Sequence, residues 1–385
     1  MASSNLTSSS FSSSSSYVDS KPHYEILDGL RGVAAVIVVA YHLCEAHAIG
    51  VNQLVNHGYM AVDFFFLLSG FVIGYAYDDR WGKMSLKDFF KRRLIRLQPM
   101  VVMGSLIGAA LYYLQSSNLF PMIADVPIWQ MLLIMLIGCT LLPVPPSMDI
   151  RGWGEMHPLN GPAWSLFFEY IANILYALFI RKFSKTLLSI FVFLAGCLLI
   201  RLALVTPRGD IVGGWSIDSI QLQIGFIRLL YPFFAGLLLF RIGKLIHVKH
   251  AFFWCSLFLA TILLFPRLEG SEHLWINGLY DSLCIIFLFP LIVFFGASGE
   301  VTGKYSSRIC KFLGDISYPL YITHYPLVYL YTAWVSDHAI SQQKAFPVAL
   351  LVILFAIVIA YACLKWYDEP VRAWLKNSFL TKKGR

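Results

Sequence analysis

The stretch Leu27-Asp28-Gly29-Leu30-Arg31-Gly32, continuing through an apolar segment to Tyr41-His42, decides how the chain is read. Arg31 and His42 are separated by close to three turns of an α-helix. Their side chains therefore share a face, about 16 Å apart along the axis. Asp28 lies three residues before Arg31 on that face, where its carboxylate can hold the guanidinium. The segment is apolar enough to enter a membrane, yet it has a charged inner end and an imidazole near mid-depth. Ionisable groups at such depth are costly and mark sites.

The rest of the chain supports a membrane reading. Of 385 residues, 58% are hydrophobic and 14% charged, where a soluble domain carries about 25% charged residues. The expected fold is all-α: a polytopic transmembrane helical bundle. The formal charge of +8 does not point to nucleic acid, because Lys and Arg sit in short blocks between apolar runs, as the positive-inside rule requires. The seven cysteines are scattered without a C-x-x-C pair, so neither a zinc site nor a disulfide framework is expected, and no metal is assigned. The first twenty residues are dominated by serine, without a basic region or apolar core. Residues 1–23 are read as a disordered tail, and the first helix as an uncleaved insertion signal.

Apolar runs begin near residues 28, 58, 99, 163, 186, 225, 251, 277, 313 and 346, with a shorter one at 128–142 between Pro127 and Pro143. Basic blocks at Arg80 to Arg96, Arg181 to Lys185, Arg241 to Lys249, Lys304 to Lys311 and Arg372 to Arg385 assign those segments to the cytoplasm. They remain on one side only if the 128–142 run does not cross. The expectation is about ten spans with both termini cytoplasmic, plus one re-entrant or interfacial segment. A single membrane domain then covers 24–374, followed by a basic cytoplasmic tail at 375–385. The outer connections are 44–57, 116–162, 206–224, 267–276 and 334–345. The longest, 116–162, reads either as the wall of an outward-facing pocket or as a plain surface loop.

Several residues could carry chemistry. His42 suits a general base, or equally an interhelical hydrogen-bond partner; His47 and His57 look incidental. In the second span, Asp63 is a carboxylate near the outer end, and Ser69-Gly70 permits close helix approach. Arg93 and Arg96 share a face. Forked guanidiniums suit phosphates, although a juxtamembrane basic cluster ordinarily sets topology and touches anionic lipid. Trp164 and Ser165 open the fourth span, and Glu169, four residues after Ser165, falls in apolar surroundings. Pro319 and Pro326 bracket His324, so backbone hydrogen bonds are lost there and the broken helix is expected to line a cavity. On helix rise alone, His42, Glu169 and His324 fall in one layer.

Taken in order, these elements resemble the acyltransferase-3 family of integral-membrane O-acyltransferases. The match runs from Leu27–Gly32 with His42, through Val62-Asp63, Phe65-Phe66 and Ser69-Gly70-Phe71, to Arg93-x-x-Arg96 with Pro99. It continues with Trp164-Ser165-Leu166 and Glu169, then Ser317-Tyr318-Pro319-Leu320-Tyr321 with His324 and Pro326, and closes at Glu369-Pro370 with Arg372. It covers residues 24–374.

The resemblance implies an acyl-CoA donor, acetyl-CoA, entering from the cytoplasm, and a hydroxyl of a cell-surface polysaccharide or other glycan as acceptor. It implies a catalytic His42 with Arg31, and Arg31, Arg93 and Arg96 as ligands of the CoA phosphates. Glu169 and His324 are assigned to orient His42 or the sugar. Asp28, Asp63, Ser69, Trp164, Ser165 and Tyr318 are candidate substrate contacts. Membrane lipids are the other expected partner, and the bacterial inner membrane the expected location. The chain reaches Arg385 without the esterase-like domain that some relatives carry, and is expected to act alone or with a separate partner. Two other readings stay open: a glycan or lipid transporter without covalent chemistry, and an enzyme acylating a small secreted molecule.

Overall fold

The computed structural model describes residues 24–48, 52–301 and 303–380. The expected disordered tail at 1–23 lies outside them, as do the last five positions of the basic tail. The helices are α1 (Glu25–Glu45), α2 (Ala61–Tyr77), α3 (Leu86–Leu111), α4 (Ile128–Thr140), α5 (Ala163–Leu178), α6 (Lys185–Val205) and α7 (Ser219–Ile242). There follow α8 (Ala251–Leu264), α9 (Leu274–Leu283), α10 (Phe289–Ala297), α11 (Lys304–Thr323), α12 (Tyr325–Asp337), α13 (Gln342–Cys363) and α14 (Glu369–Phe379). Single π-turns join α9 to α10 and α13 to α14, so each pair is one rod. Among the described residues there is no β-strand.

Among the described residues, seven helical stretches are long and apolar enough to cross a membrane, so the chain is an integral membrane protein. The remaining expected spans fall short of that criterion for physical reasons. α5 and α8 are short apolar helices, and the α11–α12 rod is interrupted at His324. Length and composition therefore do not establish ten crossings.

The segments rich in Lys and Arg gather at one end of the bundle. Arg241 binds Asp78 through two guanidinium nitrogens and donates to the carbonyls of Phe183 and Arg181. Lys311, Arg96 and Arg372 line one small cavity. At the other end, the connections 44–57, 116–162, 206–224 and 267–276 all contribute to a single cavity.

The marginal 128–142 run becomes α4, which at 13 residues rises only about 20 Å, less than a hydrocarbon core. It runs back along α3: Tyr113 donates to the Val126 carbonyl near one end, and Gln98 donates to the Cys139 carbonyl near the other. Leu141 then adopts a left-handed conformation, φ 62°, and the chain returns to the end it came from.

The glycines of the opening motif act by closeness. A Cβ at Gly32 would collide with the Leu313 carbonyl oxygen, so α1 and α11 touch backbone to backbone. Gly70 does the same for α2 against α7, where a Cβ would collide with the Phe233 carbonyl oxygen. Small residues at such crossings are how membrane helices gain packing without a hydrophobic drive between them.

Candidate active site

α1 is unbroken, so Arg31 and His42 ride on one rod and face two different cavities. At its start, Arg31 Nη1 donates to Asp28 Oδ1 at 2.8 Å. Near its end, His42 Nδ1 donates to Glu45 Oε2 at 2.6 Å. A carboxylate only accepts, so Nδ1 carries a proton, and in the neutral ring Nε2 holds the lone pair.

His324 faces His42, with ring centroids 5.6 Å apart and planes within 25°. It occupies the break between α11 and α12. Its Nδ1 donates to the carbonyls of Leu320 and Tyr321, at 3.0 and 2.9 Å. Carbonyls fix this tautomer too, and His324 Nε2 is buried with no hydrogen-bond partner. Tyr325 closes the group, its ring edge-on to His42 at 4.8 Å. The two imidazoles stack, but only His42 lines a cavity; His324 is fully buried behind it.

His42 and Glu45 line the first cavity, about 460 Å³, together with Tyr41, Trp153, Trp164 and Arg228. Arg228 is buried and held by Asp63 (Nη2 to Oδ2, 2.7 Å), with further donations to the carbonyls of Gly213 and Tyr59. The aromatic and hydrogen-bonding wall of this chamber suits a sugar, which offers apolar ring faces and hydroxyl edges.

The second cavity, about 470 Å³, opens at the basic end. Arg31, Arg80, Arg92, Arg93, Arg96, Arg372 and Lys376 line it, against only Asp28 and Glu169. That excess of positive charge fits a polyphosphorylated ligand. Val62 and Tyr321 line both cavities, so the two meet at those side chains.

Several sequence assignments move. Glu169 does not join His42 and His324: it pairs with Arg93 at 2.6 Å and lines the basic cavity. Helix rise gives its depth but not the direction in which it points. Asp63 lines neither cavity; it is fully buried and anchors Arg228. His57 lines neither cavity; its buried ring bonds Asp281 at 2.9 Å. Ser69, Ser165 and Tyr318 line the basic cavity, with Arg31, Arg93 and Arg96. Trp164 lines the chamber of His42. The sequence reading missed Glu45, although its place one turn after His42 was legible. It also missed Arg228, a lone cation inside an apolar run.

The 116–162 connection supplies Trp153 and Glu155 to the first cavity. Arg151 pins it, its guanidinium 3.5 Å from the centre of the Tyr329 ring and hydrogen-bonded to Gln115 and the Pro158 carbonyl. Tyr329 donates to Glu155. Burial pushes the Glu155 carboxyl up to about 7 from its ordinary 4.5, against the pull of Arg151 and of that hydrogen bond. The folded state therefore holds this proton across a pH range where the unfolded chain has released it. The associated stability is present below about pH 4.5 and lost as pH rises through about 7, a change of about 3 kcal/mol. Glu155→Gln, a neutral isostere, is expected to melt higher than wild type at pH 8 and to show a flatter pH dependence. Parallel melting curves of both proteins at pH 5 and 8 test this, and equal slopes rule it out.

A family model described as an acyltransferase domain, acyltransferase 3, matches residues 24–365. The chain belongs to the acyltransferase-3 family. It is therefore an acyltransferase, and its curated relatives include O-acetyltransferases. It is 24% identical over 373 residues to the O-acetyltransferase OatA of Staphylococcus aureus, across 93% of this chain and 59% of that protein. It is 33% identical over 159 residues to protein 2 in the picA locus of Rhizobium radiobacter, across 40% of this chain and 80% of that one. The chain thus spans about three-fifths of the length of OatA. No solved structure matches it.

Proposed function

We propose that this acyltransferase moves an acetyl group from acetyl-CoA, bound in the basic cavity, to a hydroxyl of a glycan bound in the aromatic chamber. The observation that carries the reading is that two cavities opening at opposite ends of the bundle meet at Val62 and Tyr321, which line the chamber that His42 also lines. The basic end faces the cytoplasm, by the positive-inside rule, and the acceptor approaches from outside. About ten spans with both termini cytoplasmic belong to this reading, with residues 24–374 as one domain. The bacterial relatives support an inner-membrane location.

In this mechanism His42 Nε2 removes the acceptor hydroxyl proton as the oxygen attacks the thioester carbonyl. The C–O bond forms, the C–S bond breaks, and His42 returns the proton to the departing thiolate. Glu45 holds the imidazole in the needed tautomer and stabilises its cation. A transient acyl group on the same nitrogen is the alternative route, and rapid-quench mass spectrometry of the His42 peptide separates the two. His324, fully buried behind His42, holds the His42 ring in place by stacking on it. Arg31, Arg93 and Arg96 hold the donor phosphates, with Asp28 and Glu169 orienting two of them.

Arg96→Ala is expected to weaken CoA binding about 10- to 100-fold, the worth of one charged hydrogen bond, as read by calorimetry at fixed salt. The overall reading is tested by giving acetyl-labelled CoA to membranes with and without the protein. Alkali-labile label in carbohydrate is expected only with it. Label that binds but stays on CoA sinks the reading and favours a transporter.

A further inference from the structure

One face of α2 runs the length of the basic cavity. Val62, Phe65, Phe66, Ser69, Val72 and Ala76 line it, at the three- and four-residue intervals of a helical stripe. From Ala76, beside the arginines, to Val62 is about 21 Å of helix. At its far end this slot narrows at a wall that it shares with the first cavity. Tyr321 is fixed there through its hydroxyl, 2.8 Å from Ser165 Oγ and 3.3 Å from the Pro162 carbonyl oxygen, and its ring meets Phe65 edge-on at 5.3 Å. Val62 and Tyr321 are both buried, 8% and 6% exposed. Beyond them lies the chamber of His42.

We infer that Val62 and Tyr321 are the residues that set acyl-chain length. The inference rests on the donor reading of the basic cavity. A thioester reaching His42 from the arginine end passes between these two side chains. Every carbon beyond the carbonyl then lies either against the wall or in the acceptor chamber. The wall is held by hydrogen bonds and aromatic contact, so it does not yield at low cost. The chamber is polar around Glu45, Glu155 and Arg228 and is claimed by the acceptor. A longer tail therefore gains no apolar contact and competes with the second substrate. An open apolar slot makes the opposite demand, with affinity rising about fourfold for each added methylene.

The test is calorimetric binding of CoA, acetyl-CoA, butyryl-CoA and hexanoyl-CoA to the full chain in lipid nanodiscs. In wild type, affinity is expected to fall about tenfold or more from acetyl to hexanoyl. Val62→Ala should remove about tenfold of that penalty while leaving CoA itself unchanged. Val62→Met should act in the other sense and weaken acetyl-CoA but not CoA. Affinity that climbs with chain length in wild type overturns the inference. So does a series that neither substitution alters. Failure of wild type to bind CoA itself is a separate outcome: it removes the donor reading, and the inference with it.

Discussion

His42→Ala is expected to lower the turnover number for acyl transfer by a factor of about 100 to 10,000, the range contributed by a positioned general base. CoA affinity should hold, because the guanidiniums proposed to hold its phosphates line the other cavity. The fold should hold as well: the ring's one close side-chain hydrogen bond is to Glu45, and the histidine is partly exposed to the chamber. Glu45→Gln should lose about a hundredfold, the scale of a misaligned reacting group, because an amide neither stabilises the imidazolium nor fixes the tautomer as firmly. Initial rates, CoA titration and a melting curve on the same preparation separate these effects. A His42→Ala enzyme with wild-type rate would remove the imidazole from the chemistry altogether.

Asp63→Ala is expected to destabilise the protein by about 3–5 kcal/mol, the cost of leaving one member of a buried ion pair alone. Arg228 is 2% exposed and Asp63 is fully buried, so losing the carboxylate leaves a nearly buried guanidinium on α7 without its charge partner from α2. The contact between α2 and α7 is backbone against backbone at Gly70, which makes the crossing intolerant of adjustment. Replacing both partners, Asp63→Leu with Arg228→Leu, should recover most of the loss, because no unpaired charge remains. Transfer activity should not recover with it, since Arg228 lines the chamber of His42, where the acceptor is proposed to bind. Unfolding in mixed micelles reports the first quantity and acetyl transfer the second. A single mutant as stable as wild type would mean that the pair is not desolvated.

What the sequence disclosed follows from which signals are local. Arg31 and His42 share a rod because helical phase is a local property, and Asp28 reaches Arg31 for the same reason. The gathering of Arg80, Arg96, Lys311 and Arg372 at one end was legible because charge blocks alternate with apolar runs. Glu169 was placed wrongly because depth along a helix is local but rotation about its axis is set by neighbours, here Arg93 on α3. Asp63 looked like a ligand because its partner lies 165 residues away in the chain. The reversal at Leu141 had no local signature either, since leucine seldom takes a left-handed conformation and only the packing of α4 against α3 requires it.

The partition at Val62 and Tyr321 has a bearing on the cell as well as on the reaction. Any route that brings a metabolite from one compartment to an alcohol in the other is also a breach in an energised barrier. Protons and sodium would follow it down their gradients, and stray water would waste the activated thioester by hydrolysis. On the proposed donor and acceptor sides, a valine beside a tethered tyrosine would close that breach with apolar bulk whenever the donor is away, so that idle copies of the enzyme need not drain the potential across the bilayer.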